Sequence, residues 1–185
     1  MVNAGGPWAT QIQEAVTPNI PTPAVELVQG SHLVLDKKIS ERCFYLESPQ
    51  DSRAVFVLPW KTGSLIGTTE TTHKGVPEEA VTTQTERKYL LDILKCYFPD
   101  YTGSVVAEMA GLRVLPEDNR NPFNRSREEQ LVLDHPKKPS YLGIYGGKLT
   151  GYRANAEKIL HIIHRNLGKK TAIAKTSSIR LKFPV

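Results

Sequence analysis

The sequence has very little cysteine and no long hydrophobic run. Cys43 and Cys96 are the only cysteines among 185 residues, which is too few for a disulfide framework or a cysteine-rich metal site. Both lie within apolar patterns, so we expect two buried, reduced thiols of the kind found in cytoplasmic proteins. No apolar stretch approaches the roughly 20 residues that a transmembrane helix needs. We therefore expect no membrane-spanning segment.

The sequence also lacks a G-x-G-x-x-G pattern and any internal repeat. The missing glycine pattern argues against a complete dinucleotide-binding strand, turn and helix within these residues. Hydrophobic residues make up 39% and charged residues 23%, which is ordinary for a globular protein. The length suits one domain, or one and a half.

Positive charge is concentrated at the end of the chain. The formal net charge is +5, and residues 151–185 hold eight Lys or Arg against the single acid Glu157. Such a segment could meet nucleic acid, an anionic membrane surface or an acidic partner. A solvated helix face with a tail is the interpretation that we favour. Because no aromatic residues interleave with these cations for base stacking, we expect no nucleic-acid partner.

Two segments have the apolar periodicity of helices. Residues 84–98 follow a capping box, Thr83-x-x-Glu86. Residues 150–167 precede Gly168, a common helix stop. In this last helix we expect five buried residues, which are Ala156, Ile159, Leu160, Ile163 and Leu167. The pair His161 and His164 has no third ligand, so we assign no metal site.

Most of the remaining sequence reads as strands and turns. Apolar and β-branched runs predict strands at 25–28, 32–35, 43–46, 54–59, 64–69, 105–115, 131–133 and 141–145. Gly30-Ser31 separates the first two runs, and Gly111 is expected to mark a β-bulge. The turn residues 48–52 predict a hairpin. The sequence therefore predicts an α+β fold, with a mostly antiparallel sheet of about six strands and two main helices.

The segment 141–153 carries the strongest functional signal. An apolar strand meets the pair Gly146-Gly147, followed by Lys148 and a helix start at Thr150. Adjacent glycines let the backbone turn sharply and approach a ligand closely. A helix N-terminus directs free N–H groups and a positive dipole end at the same place. The segment thus predicts a seat for an anion or an electron-rich ring.

Four segments, in order, resemble those of the FAD-dependent glycerol-3-phosphate dehydrogenases, within the D-amino-acid-oxidase-like flavoproteins. They are residues 2–8 (VNAGGPW), Gly30-Ser31-His32, Gly67-Thr68-Thr69-Glu70 with Gly75 and Pro77, and Gly111-Leu112-Arg113 followed by 146–153 (GGKLTGYR). Three departures concern substrate identity: Val114 stands where the family usually has Pro, Gly151 where it has Thr, and Thr10 or Gln11 where it has an acid.

The resemblance implies a fragment that lacks the N-terminal dinucleotide-binding segment. It divides the chain into a remnant of the FAD-binding domain with a connector at 1–24 and a substrate-binding antiparallel domain at 25–145. The flavin-contacting turn, C-terminal helix and basic tail follow at 146–185. FAD would be the cofactor of the parent enzyme, and we expect the isolated chain to bind no FAD stably and to be inactive.

The resemblance also implies roles for particular residues. His32 and Lys148 would be catalytic, although a histidine at this position is as often structural. Arg113 and Arg127 would bind the substrate phosphate, with Arg125 as the alternative to Arg127. The cofactor would contact Ala4, Gly5, Trp8, Gly146, Gly147, Leu149 and Thr150.

The implied reaction is oxidation of sn-glycerol 3-phosphate to dihydroxyacetone phosphate by hydride transfer to flavin. A quinone or another acceptor would then reoxidise the flavin. The expected location is cytoplasmic, with peripheral association at the inner face of the membrane. A non-catalytic ligand-binding or interaction module that keeps the fold is the alternative.

Overall fold

The computed structural model describes residues 1–117, 127–168 and 170–180. The predicted alternative Arg125 and two cations of the basic tail, Lys169 and Lys182, lie outside these residues. The chain divides into two units, one of residues 25–117 and one of residues 1–24 with the described residues from 127 onward. The domain division given above remains a prediction.

The first unit is a six-stranded antiparallel sheet with one α-helix. Its strands are β2 (Val25–Leu35), β3 (Phe44–Glu47), β4 (Ala54–Trp60), β5 (Gly63–Gly67), β6 (Thr71–His73) and β7 (Val105–Pro116), and its helix is α2 (Gln84–Tyr97). The strands β3, β4, β5 and β2 follow one another in the sheet. Residues 32–35 of β2 pair with β5 and residues 27–29 pair with β6, along the same edge of β2. The other edge of β2 pairs with β7. The predicted α+β class with a mostly antiparallel sheet is confirmed.

Alternation along the strands separates a core face from an open face. Inward residues of β2 to β5 pack against α2 and form a core of Leu33, Leu35, Leu46, Val55, Val57, Ile66, Leu90, Ile93 and Leu94. On the open face Tyr45 and Phe56 pack edge to face, with ring centroids 5.4 Å apart. Helix α2 begins with the predicted capping box, since Thr83 Oγ1 accepts from Glu86 N at 3.2 Å and Glu86 Oε2 accepts from Thr83 N at 3.0 Å.

Three details of this unit differ from the sequence prediction. Gly30-Ser31 does not interrupt a strand, because β7 pairs with β2 along nearly all of its length. The register shift lies at Val34/Leu35 and not at Gly111. Cys43 and Cys96 are exposed, so the prediction of buried thiols was wrong.

The second unit is built around a three-stranded sheet. It contains β1 (Val2–Asn3), β8 (Gln130–Leu133) and β9 (Leu142–Tyr145), in the order β1-β9-β8, with helices α1 (Ala9–Glu14) and α3 (Tyr152–Leu167). The strand β9 pairs parallel with β1 and antiparallel with β8. Gly168 follows α3 with φ of 72°, as expected for a helix stop.

The buried face of α3 is narrower than the sequence pattern predicted. Ile159 and Ile162 are buried against Leu142. Leu160 and Leu167 are exposed, and so is Ala156. Of the five residues predicted to be buried, Ile159 is buried and Ile163 is half-buried, and the structure buries Ile162 instead. The small sheet thus covers fewer apolar residues of α3 than the periodicity predicted.

A buried polar cluster ties α1 to β9 and to the connector after α1. The Gln13 amide oxygen accepts hydrogen bonds from the hydroxyls of Tyr141, at 3.1 Å, and Tyr145, at 2.8 Å. Its nitrogen donates to the carbonyl oxygens of Ile20 and Pro21, at 3.0 and 2.9 Å. Gln13 is fully buried, and these partners satisfy both ends of its amide.

Among the described residues, no helix is long and apolar enough to cross a bilayer.

Candidate functional site

Strand β2 carries two of the predicted residues on the open face of the main sheet. Gly30 and His32 alternate with core-facing residues, and His32 lies opposite Gly67 on β5 and Met109 on β7. A Cβ atom at Gly67 would stand 2.2 Å from His32 Cδ2. The imidazole therefore packs directly against the bare backbone of Gly67.

The guanidinium of Arg113 reaches across β2 at Gly30. Arg113 lies on β7, yet it donates to Thr68 Oγ1 at 3.1 Å and to the Thr69 carbonyl oxygen at 3.3 Å, both beyond the far edge of β2. A Cβ atom at Gly30 would stand 2.7 Å from both terminal nitrogens of Arg113. The crossing thus depends on glycine at this position.

The turn between β5 and β6, residues 68–70, receives Arg113. Besides the two hydrogen bonds, Arg113 Nη1 lies 3.8 Å from Glu70 Oε1, and the Glu70 side chain is 6% exposed. From the other side Arg53 Nη1 donates to the Glu70 carbonyl oxygen at 3.0 Å. Two arginines therefore meet at this turn.

The surroundings of His32 on the open face favour its neutral form. Burial of the imidazole lowers the pKa of His32 below its ordinary value of 6.5, and the positive charge of Arg113 lowers the pKa further. A neutral imidazole has one nitrogen that accepts a proton, as a general base requires. The open face thus combines a cation with a neutral base.

Sequence reasoning did not single out Glu86 as part of this region, beyond its role in the capping box. Glu86 is 3% exposed and accepts from Thr69 Oγ1 at 2.7 Å and from Gln29 Nε2 at 2.6 Å. Burial favours a raised pKa, but the hydrogen bonds from Thr69, Thr83 and Gln29 outweigh it and lower the pKa of Glu86. The capping box located this carboxylate, but nothing in the sequence indicated its contact with the 68–70 turn.

The other predicted residues lie in the second unit. Gly146 and Gly147 are exposed and have φ of 72° and 97°, a backbone that other residues adopt only with strain. Leu149 and Thr150 follow in an exposed turn of 3₁₀ helix, Leu149–Gly151.

The predicted cations of this unit lie near its acidic residues or are partly buried. Lys148 Nζ lies 3.3 Å from Glu128 Oε1, with the lysine side chain 56% exposed. Arg127 is half-buried. Neighbouring Glu129 pairs with Lys158 at 2.9 Å.

Next to the glycine pair lies an open cavity of about 450 Å³. It is lined by Ile144, Gly146, Gly147, Lys148, Leu149, Tyr152, Asn155, Ala156 and Ile159. Exposed glycines with positive φ, beside apolar side chains, let a planar heteroaromatic ring lie close to the backbone. These residues therefore fit a flavin ring.

The N-terminal turn holds the remaining predicted cofactor contacts. Gly5 N donates to Asn3 Oδ1 at 3.1 Å, and Asn3 is buried. A Cβ atom at Gly5 would stand 2.5 Å from Ile12 Cδ1, so the turn packs tightly on α1. Ala4 is exposed and Trp8 is 40% exposed.

The described residues contain no group of three or more acidic, His or Cys side chains that could hold a metal.

The fold places the chain among the D-amino-acid-oxidase-like flavoproteins. Residues 1–151 match the family described as FAD dependent oxidoreductase. The chain belongs to this family, and FAD is the family's cofactor.

Among curated relatives, the chain is 34% identical over 166 residues to the aerobic glycerol-3-phosphate dehydrogenase of Escherichia coli (strain K12), covering 86% of this chain and 33% of the relative. It is 32% identical over 165 residues to the D-erythritol 1-phosphate dehydrogenase of Brucella abortus (strain 2308), covering 87% and 33%. The chain thus spans about a third of the length of these relatives.

Solved structures show the same fold. The glycerol-3-phosphate dehydrogenase from Bacillus halodurans complexed with FAD has a TM-score of 0.75 and 26% identity, over 94% of this chain and 33% of that one. Glycine oxidase from Geobacillus kaustophilus has a TM-score of 0.62 and 19% identity, over 92% and 42%. At that identity the second likeness concerns the fold alone.

Proposed function

We propose that the protein containing this chain is an FAD-dependent dehydrogenase that oxidises sn-glycerol 3-phosphate to dihydroxyacetone phosphate. The observation that carries this proposal is the placement of Arg113 and neutral His32 on one face of the sheet. The named relatives that act on glycerol 3-phosphate support the substrate. FAD supplies the hydride acceptor when bound.

In this proposal Arg113 binds the phosphate of the substrate. A guanidinium presents paired N–H donors that match phosphate oxygens. Its contacts with Thr68 and Thr69 limit its rotation, so less freedom is lost when substrate binds. Arg127 is proposed as the second phosphate contact, and Lys148 as the cation that stabilises charge on the substrate oxygen.

His32 takes the hydroxyl proton as the hydride leaves the carbinol carbon. Its lowered pKa leaves the ring neutral at neutral pH, so the acceptor nitrogen is available. The proton moves to imidazole and the electron pair of the O–H bond forms the carbonyl. The backbone of Gly5, Gly146, Gly147, Leu149 and Thr150, with Ala4 and Trp8, is proposed to hold the cofactor.

The test uses the FAD-loaded protein that contains this chain, mixed anaerobically with substrate while the visible flavin absorbance is followed. We expect bleaching by glycerol 3-phosphate and none by glycerol. Arg113→Met should raise KM by about 10- to 100-fold, as for a lost charge-assisted contact. His32→Gln should lower kcat by about 10²- to 10⁴-fold.

Arg87→Met is the matched control, because Arg87 pairs with Glu108 at 3.0 Å and has no proposed role in binding. It should leave KM unchanged. Absence of bleaching by glycerol 3-phosphate would refute the proposed substrate.

D-erythritol 1-phosphate is a second candidate substrate, because a relative of 32% identity is named for its oxidation. Both candidates carry a phosphate on a polyol, so Arg113 serves either. The comparison of kcat/KM for the two compounds decides between them.

We also propose a quinone or another acceptor as the oxidant of the reduced flavin, and a peripheral position of the protein on the inner membrane face.

A further inference from the structure

We propose that Thr69 and Glu86 are positioning residues that hold the 68–70 turn and, through it, the guanidinium of Arg113. This inference rests on the proposed role of Arg113 in phosphate binding. Neither residue need touch the substrate. Their effect would pass through hydrogen bonds that end on Arg113.

The hydroxyl of Thr69 is fixed from two sides. It accepts from the backbone N–H of Ser31 at 2.8 Å and donates to Glu86 Oε1 at 2.7 Å. Thr69 is 3% exposed, so water does not compete freely for these bonds. Because the hydroxyl accepts one hydrogen bond and donates another, its orientation is fixed.

The backbone of the same residue meets Arg113. Arg113 Nη1 donates to the Thr69 carbonyl oxygen at 3.3 Å, and Nη2 donates to the neighbouring Thr68 Oγ1 at 3.1 Å. The Thr69 side chain thus faces Glu86 while its carbonyl faces Arg113. A shift of this residue would move both contacts together.

Glu86 makes more contacts than its capping box needs. The box requires Thr83 alone, whereas the carboxylate also accepts from Gln29 on β2 and from Thr69. A buried carboxylate is costly unless such donors compensate it. Here the donors come from a helix start, a strand and the turn, so Glu86 anchors the turn to the core of the unit.

The test measures Arg113 directly in the FAD-loaded protein. Thr69→Val removes the hydroxyl with little change of volume, and Thr69→Ser keeps it. Thr72→Val is the matched control, because Thr72 is exposed on β6. Modification of Arg113 by 2,3-butanedione is followed by mass spectrometry, with and without inorganic phosphate, and KM and kcat are measured for glycerol 3-phosphate.

We expect Thr69→Val to make Arg113 react several times faster, because its guanidinium is no longer held at the turn. KM should rise about tenfold, the effect of one buried hydrogen bond, while kcat changes less than twofold. Thr69→Ser should restore both values, and Thr72→Val should match the unchanged protein. Glu86→Gln should act in the same direction, and it decides the matter if Thr69→Val does not fold.

Three results would overturn the proposal: unchanged Arg113 reactivity in Thr69→Val and Glu86→Gln, failure of Thr69→Ser to restore it, or an equal effect of Thr72→Val. Failure of the proposed function has a different signature. In that case inorganic phosphate and glycerol 3-phosphate would not protect Arg113 in the unchanged protein, although its reactivity would still depend on Thr69.

Discussion

The imidazole of His32 packs against the backbone of Gly67, so that a Cβ atom there would stand 2.2 Å from Cδ2 and 2.6 Å from Cγ. Two residues of neighbouring strands thus share a space that admits one side chain. The position of the proposed base is therefore set by a residue that contributes no side chain at all.

Gly67→Ala should displace the His32 ring and destabilise the protein by about 1–3 kcal/mol, the usual cost of overpacking. Free energies of unfolding from urea titration measure this. The double variant with His32→Ala should lose less than the sum of the single losses, because the clash is then absent. Additive losses would mean that the two residues do not compete for space.

Gly30→Ala should move the Arg113 guanidinium, since the new methyl group would stand 2.7 Å from both terminal nitrogens. KM for glycerol 3-phosphate should rise by at least about tenfold. Gly111→Ala is the matched control, because Gly111 faces Gly30 across the strand pair and a Cβ atom there would meet nothing within 4 Å. Equal effects of the two variants would contradict the crossing at Gly30.

The pKa of His32 should lie below 6.5 and respond to Arg113. Arg113→Gln should raise it only partly toward 6.5, because burial is the larger cause of the lowering. NMR titration of the imidazole resonances measures both values, and Arg87→Gln is the control. Because the folded-state pKa is lowered, His32 contributes stability above the unfolded pKa, and this is lost as the pH falls through the folded pKa.

Glu86→Gln should destabilise the protein by about 1–3 kcal/mol near neutral pH, because buried donors lose a charged acceptor. The folded-state pKa of Glu86 is lowered, so its contribution is present above its ordinary value of 4.5 and is lost as the pH falls through the folded pKa. The difference between the two proteins should therefore shrink under acid. Exposed Glu41→Gln is the matched control and should leave the free energy of unfolding nearly unchanged near neutral pH, and a difference for Glu86→Gln that stays constant as the pH falls would exclude the effect.

Gln13→Leu should cost about 1–3 kcal/mol, because the carbonyl oxygens of Ile20 and Pro21 lose their amide donor and the hydroxyls of Tyr141 and Tyr145 lose the amide oxygen as an acceptor. Gln11→Leu lies two residues away on the exposed side of α1 and should be nearly neutral. Thermal unfolding of both variants gives the comparison. A similar loss in both would mean that the buried network contributes little.

Local signals predicted the local elements well. The capping box and apolar stripe gave α2 almost to the residue, and the 48–52 turn gave the hairpin of β3 and β4. The predicted strand break at Gly30-Ser31 was wrong. Glycine would weaken an isolated strand there, but β2 continues through these residues because they pair with β7. The pairing partner is a tertiary property that a single strand's composition does not contain.

The site was predicted residue by residue but not as a network. Motif resemblance pointed to His32 and Arg113, whereas the contacts that hold Arg113 run through Thr69 and Glu86, 17 residues apart in sequence. The thiols were misplaced for a related reason. Apolar neighbours in sequence do not reveal whether another element covers Cys43 and Cys96, and both are exposed.

The amide of Ser31 donates to a side-chain hydroxyl, Thr69 Oγ1, in the middle of the longest strand pairing in the sheet. That one backbone proton is protected only while the threonine keeps its place. The rate at which this amide exchanges with deuterated solvent therefore reports whether the 68–70 turn is in place. The measurement needs no attached probe and no ligand.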